Sequence, residues 1–147
     1  MSIQDRVWEK AQLAFPRFAQ YYEVNEIDSG VDLTDRNVSV KTKRVPVLAT
    51  TTTATMEDAQ KIAAQLVEER LAACVQIVEP VTSVYRWQGA VQEEKELLLL
   101  IKSTRDLVPR ITELLDRIHP YEMPELIATP IIEGSTAYLS WLGENLR

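Results

Sequence analysis

The 147-residue sequence predicts an α+β fold in which one antiparallel sheet carries two helices on a single face and a short third helix closes the chain. Three observations lead there. Two stretches carry apolar residues at helical spacing, each opened by a hydroxyl residue with an acid three positions later. A long β-branched run folds back on itself around Gln88-Gly89, and shorter β-rich runs open and close the set.

Taken in order, the chain first places Trp8, Ala11, Phe15, Phe18 and Tyr22 at spacings of three and four, one face of a helix. Pro16 interrupts it at a cost of about 3 kcal/mol inside a helix, so a kink or two short helices is expected. That face packs on the protein body or a neighbouring subunit, or recruits a partner, unless the segment stays unordered. From Glu23 to Arg44 the sequence is polar, with a turn at Asp28-Ser29-Gly30 and one brief alternation, Val38 to Lys41. The expected organisation is an N-terminal extension, 1–44, and a folded domain, 45–147.

Val45 to Thr50 reads as the first strand. Thr55, with Asp58 three residues on, reads as the N-cap of a helix whose stripe is Ala59, Ile62, Ala63, Leu66 and Val67. Ala73 to Trp87 reads as a long strand interrupted near Pro80, and Val91 to Lys102 as its return, making a hairpin. Both arms exceed the usual five or six residues, so part of each should project and need a partner. Ser103 with Asp106 repeats the capping pattern before the stripe Leu107, Val108, Ile111, Leu114, Leu115 and Ile118. Glu125 to Ile132 reads as the last strand, Gly134 breaks it, and Ser135 caps a terminal helix carrying Tyr138, Leu139, Trp141 and Leu142. The order βαββαβ is the split, ferredoxin-like arrangement. Its sheet has one face without helices, which the N-terminal segment or another subunit must cover, and a closed symmetric oligomer is the common solution.

Composition narrows the function. A single cysteine forbids an intrachain disulfide and fits a reducing compartment. No apolar run approaches the roughly 18 to 20 residues of a membrane span. The first residues resemble neither a secretory signal nor a transit peptide, so cytoplasmic residence is expected, with no membrane partner. Seven basic and seven acidic residues precede Val45, so the net charge of −6 belongs to the remainder. That balance excludes nucleic acid as a partner, which requires a basic patch. No nucleophile elbow, P-loop, paired zinc motif or dinucleotide fingerprint occurs. Neither enzymatic activity nor an organic cofactor is indicated.

The residues able to carry chemistry are few. His119, the only histidine, opens the segment His119-Pro120-Tyr121-Glu122-Met123-Pro124-Glu125, where two prolines stiffen the backbone at a helix end. It caps that helix end or, neutral, ligates a metal or moves a proton. Cys74 is a small buried hydrophobe or a soft ligand for copper(I) or zinc. Tyr85, Trp87, Lys102, Tyr121, Glu125 and Trp141 form a second set, either subunit-contact aromatics or a cleft between subunits suited to a small anion or an aromatic ligand. Glu93-Glu94-Lys95-Glu96 reads as a run that keeps a projecting strand soluble.

Seven pieces in order carry a resemblance: Ala49-Thr50-Thr51-Thr52, Leu71-Ala72-Ala73-Cys74, Tyr85-Arg86-Trp87-Gln88-Gly89, Leu99-Leu100-Ile101-Lys102-Ser103-Thr104, His119-Pro120-Tyr121, Pro124-Glu125 and Tyr138-Leu139-Ser140-Trp141. From Val45 to Arg147 the chain resembles the CutA divalent-cation tolerance proteins. The resemblance implies a homotrimer of PII-like architecture in which long hairpins extend a neighbour's sheet. It also implies copper or another divalent cation as ligand, with Cys74 and His119 as its residues. Some relatives carry a second cysteine where this chain has Ala49, so a two-sulfur site of that kind cannot form in one subunit. The expected function is therefore that of a trimeric cytoplasmic protein of divalent metal ion tolerance or homeostasis. The alternatives are a trimeric small-molecule sensor using the aromatic and lysine cleft, or a scaffold trimer with a protein partner.

Overall fold

In a computed structural model, the protein is described over residues 44–147. The expected N-terminal helical face, the turn at residues 28–30 and the alternation at residues 38–41 lie outside the described residues. The elements are β1 (Pro46–Thr53), α1 (Met56–Glu68), β2 (Cys74–Trp87), β3 (Ala90–Thr104), a 3₁₀ turn (Arg105–Leu107), α2 (Val108–Ile118), β4 (Ile127–Pro130) and α3 (Thr136–Glu144). They form one sheet in the order β2-β3-β1-β4, with every neighbouring pair antiparallel. This is the ferredoxin-like arrangement that the alternation of strand and helix periods predicts.

Period two along β1 explains the layering. Val47, Ala49, Thr51 and Thr53 are buried while the residues between them are half-exposed. The buried set meets Leu97, Leu99 and Ile101 of β3 and the stripes of α1 (Ala59, Ile62, Leu66) and α2 (Ile111, Leu114, Leu115) in one core, closed by Leu142 and Leu146. Helices therefore cover one face. The other presents Leu98, Leu100 and Lys102 half-exposed and Val78 exposed.

Capping fixes the helix starts. Thr55 Oγ1 accepts the Asp58 N–H at 3.1 Å and donates to the Asp58 carboxylate at 2.7 Å, a local exchange worth about 1 kcal/mol. Ser135 Oγ accepts the Tyr138 N–H in the same way. Ser103 behaves otherwise. β3 runs through it to Thr104, and the Ser103 hydroxyl donates to the Leu71 carbonyl at 2.6 Å in the interior. The cap position falls to Thr104, with the 3₁₀ turn ahead of α2 and Pro109 in the first helical turn, where its missing N–H is no loss. The last strand is also shorter than its apolar run suggests, because only Ile127–Pro130 pairs with β1.

Two backbone features shape the hairpin. Gln88 and Gly89 both have positive φ, 47° and 81°, as the two-residue turn that matches strand twist requires. Between Val78 and Val81 the β2–β3 register shifts: Val78 faces Leu98 and Val81 faces Glu96. β2 thus holds one extra residue at Glu79-Pro80, a bulge where proline costs no ladder bond. β1 pairs only with Leu97–Thr104 of β3, so Ala90–Glu96 and their partners on β2 form a two-stranded arm beyond the four-stranded sheet.

Candidate functional site: an acidic aromatic cavity at the hairpin base

The bulge decides what the arm presents. It brings Ser83, Tyr85 and Trp87 onto the face that Cys74, Gln76 and Val78 occupy below it, and across the ladder that face carries Glu94 and Glu96. The segment leaving α2 crosses the end of β1 and adds Tyr121, Glu122, Met123 and Glu125. Together with Thr52 these side chains enclose a cavity of about 560 Å³.

Two phenol–carboxylate pairs order its wall. Tyr121 Oη donates to Glu96 Oε1 at 2.9 Å, and Tyr85 Oη donates to Glu94 Oε2 at 2.8 Å. Glu96 is only 7% exposed. Burial and the neighbouring Glu96 push the Tyr121 phenol far above its ordinary range, and the bond to Glu94 raises that of Tyr85. Both phenols are therefore protonated donors at neutral pH. Among the described residues four carboxylates and no lysine, arginine or histidine line the space.

His119 stands behind this wall. Its Nδ1 accepts the Tyr121 N–H at 3.1 Å, so the proton sits on Nε2, which donates to the Thr52 carbonyl at 2.9 Å. Its ring meets the edge of Tyr121 with centroids 5.0 Å apart. Burial lowers its pKa below the ordinary value, against smaller upward pulls from the Thr52 bond and from Asp58 and Glu96. To ligate a metal, His119 would have to release one of its two bonds.

The structure thus brings four members of the expected cleft together, Tyr85, Trp87, Tyr121 and Glu125, and separates the other two. Lys102 lies six positions along β3 from Glu96, about 20 Å away, with its Nζ 5.5 Å from the Tyr138 ring centre. Tyr138 in turn lies 5.4 Å from Trp141. Within one chain the charge beside these rings is negative, and the expected meeting of Lys102 with the aromatic walls is one between subunits. Glu94 and Glu96, read from sequence as solubilising, are wall residues. Their period-two relation to each other was visible, but the face they share with Tyr85 depends on the ladder register.

Cys74 is a free, half-buried thiol opposite Lys102. Thr52, against which His119 rests, lies opposite Leu98, so the two expected metal residues are offset by about 13 Å along β3 and by two strand spacings across the sheet. Within one chain they do not meet. Among the described residues no three His, Cys, Asp or Glu side chains converge as a metal site.

Comparison with known proteins adds the family dimension. The family model described as CutA1 divalent ion tolerance protein matches residues 47–145. The chain is 56% identical over 89 residues to the divalent-cation tolerance protein CutA of Thermus thermophilus, an alignment covering 60% of this chain and 86% of that one. It is 45% identical over 84 residues to Protein CutA of Mus musculus, covering 57% of this chain and 48% of the other, so it spans about half the length of that mammalian relative. Among solved structures, the divalent cation tolerance protein of Thermus thermophilus aligns with a TM-score of 0.68 at 50% identity, over 69% of this chain and 99% of that one. CutA1 of Oryza sativa aligns with a TM-score of 0.67 at 40% identity, over 71% and 96%.

Proposed function

The chain belongs to the CutA1 divalent ion tolerance family, and on that premise we propose that it is a homotrimeric, non-enzymatic protein that binds divalent cations in the cytoplasm. The observation that carries the reading is the side of the sheet that no other described element covers. Leu98, Leu100 and Val78 face away from the helices, and the arm runs on past the end of β1 with edges unpaired among the described residues. Three copies whose arms extend one another's sheets cover that surface by closed symmetry.

Such an assembly also supplies what one chain lacks. Cys74 lies on the uncovered face, and its thiolate suits copper(I) or zinc. A site uniting it with His119 draws the two residues from different subunits, with the imidazole exchanging its Thr52 or Tyr121 bond for the metal. Cytoplasmic residence rests on the lone, unbridged cysteine.

Native mass spectrometry of the reduced protein, titrated with copper and then zinc, tests the reading. The expected spectrum is a trimer that takes up one metal per chain, with uptake lost in Cys74→Ser and in His119→Ala. A monomer, or adducts indifferent to both substitutions, overturns it.

A further inference from the structure

We propose that Tyr121 is a positioning residue for subunit assembly: its bond to Glu96 fixes the direction in which the two-stranded arm leaves the sheet, and so presets the arm for a neighbouring copy. That role rests on the trimer proposed above and names the contact that decides how firmly its subunits hold.

The arm has a natural hinge at its root. The last rung between β1 and β3 is Thr53 opposite Leu97, so Glu96 is the first residue of β3 without β1 beside it. On its other side the ladder to β2 is interrupted between Val78 and Val81, and Val81 is the residue that faces Glu96. The end of β1 and the bulge thus fall at the same rung, and a bulge already bends its strand and disrupts the ladder. Beyond that rung Ala90–Glu96 and their partners on β2 form a ribbon about 23 Å long. A two-stranded ribbon is marginal without further packing. Turning it by roughly 10° at the root moves its tip by about 4 Å, close to the ~4.8 Å strand spacing that pairing with a neighbour must match.

One side-chain bond crosses this hinge. Among the described residues, the bonds from Tyr85 to Glu94, from Lys95 to Thr82 and from Arg86 to the Gly89 carbonyl all stay within the arm. The bond from Tyr121 to Glu96 alone ties it to the body. Tyr121 is itself held. Its N–H donates to His119, whose Nε2 donates to the Thr52 carbonyl near the end of β1, and Pro120 and Pro124 stiffen the backbone around it. A continuous line of contact therefore runs from β1 to the hinge rung. Glu96 is buried within its own chain, so the brace is in place before a neighbour arrives. An arm already held in its docked direction loses less freedom on assembly.

Subunit exchange tests the role, read by native mass spectrometry after mixing unlabelled and isotope-labelled full-length protein in reducing buffer. Interface changes act mostly on dissociation, so Tyr121→Phe should exchange subunits about tenfold faster than the wild type. Two controls should exchange at the wild-type rate. Tyr85→Phe deletes a phenol–carboxylate bond of the same kind inside the arm, and Ser103→Ala deletes a buried bond in the body, away from the hinge. Should Tyr121→Phe not fold, Glu96→Gln weakens the same bond from its acceptor side. A trimer whose exchange is unmoved by Tyr121→Phe, or is accelerated as much by either control, overturns the proposal alone. A wild-type chain that forms no trimer overturns the assembly as well.

Discussion

Tyr121 and Glu96, twenty-five positions apart in the chain, meet through a 2.9 Å bond from phenol to carboxylate. The contact ties the segment after α2 to the base of the two-stranded arm, so cavity wall and arm are mechanically one piece. Tyr121→Phe removes the donor and leaves a buried carboxylate oxygen without it, at a cost of about 1–3 kcal/mol. Thermal unfolding of Tyr121→Phe should show a loss of that size, and Tyr121→Phe combined with Glu96→Gln a smaller loss than the two single losses sum to. Strict additivity of the pair would deny the bond any energetic weight.

His119 makes stability depend on pH in a stated direction. Its folded pKa lies below the unfolded value of about 6.5 because burial disfavours the imidazolium. Protonation must also place a hydrogen on Nδ1, where the Tyr121 N–H already points. The unfolded chain therefore takes up the proton first. The contribution is complete above about pH 6.5 and is lost as pH falls from there through the folded pKa. Urea midpoints at pH 7.5 and 5.5 should differ more for the wild-type chain than for His119→Gln; equal differences would contradict the assignment.

Ser103→Ala tests the correction to the start of α2. A helix cap of ordinary exposure would cost about 1 kcal/mol, and the helical signal of α2 would weaken. The observed bond instead holds the Leu71 carbonyl in the interior, so the loss should be about 1–3 kcal/mol with helicity unchanged. Circular dichroism beside a thermal melt separates the two outcomes.

Arg70 occupies the left-handed region at φ 56°, a position after a helix where glycine is usual. Its guanidinium reaches the carbonyls of Glu144 at 2.8 Å, Asn145 at 3.3 Å and Leu146 at 3.4 Å. Arg70→Gly relieves the backbone by about 1 kcal/mol and forfeits these bonds. Global stability should hence change little, while amide exchange at residues 144–147 accelerates. Unchanged exchange there would show that the chain end does not rely on this side chain.

The architecture was legible because its signals are local. Thr55 with Asp58, Ser135 before Tyr138, and the stripe from Leu107 to Ile118 each lie within one or two turns or a few, and each appears where expected. Gln88-Gly89 marked the hairpin for the same reason. The site was legible only in part. Tyr85 and Trp87 share a face by strand period alone, and Tyr121 and Glu125 follow on a stiffened segment. Glu94 and Glu96 escaped because the side they face is set by pairing across the ladder, with a bulge intervening. The contact of Lys102 with Tyr138 within the chain had no local signal, because Tyr138 comes from α3. The separation of Cys74 from Thr52 and His119 likewise required the strand order.

The bulge at Glu79-Pro80 makes residue count, more than residue identity, the carrier of information in this part of the chain. Deleting one residue there would restore a regular ladder and rotate the distal strand by half its period, turning Val84 and Arg86 inward and Tyr85 and Trp87 outward. Every side chain in the arm would survive unchanged, yet the cavity would lose its aromatic wall and gain a guanidinium among its carboxylates. A substitution along the arm alters one side chain of the wall, whereas an insertion or deletion at this point reverses the whole surface at once. For engineering, a single codon removed is the cleanest way to erase the pocket while keeping the composition of its wall.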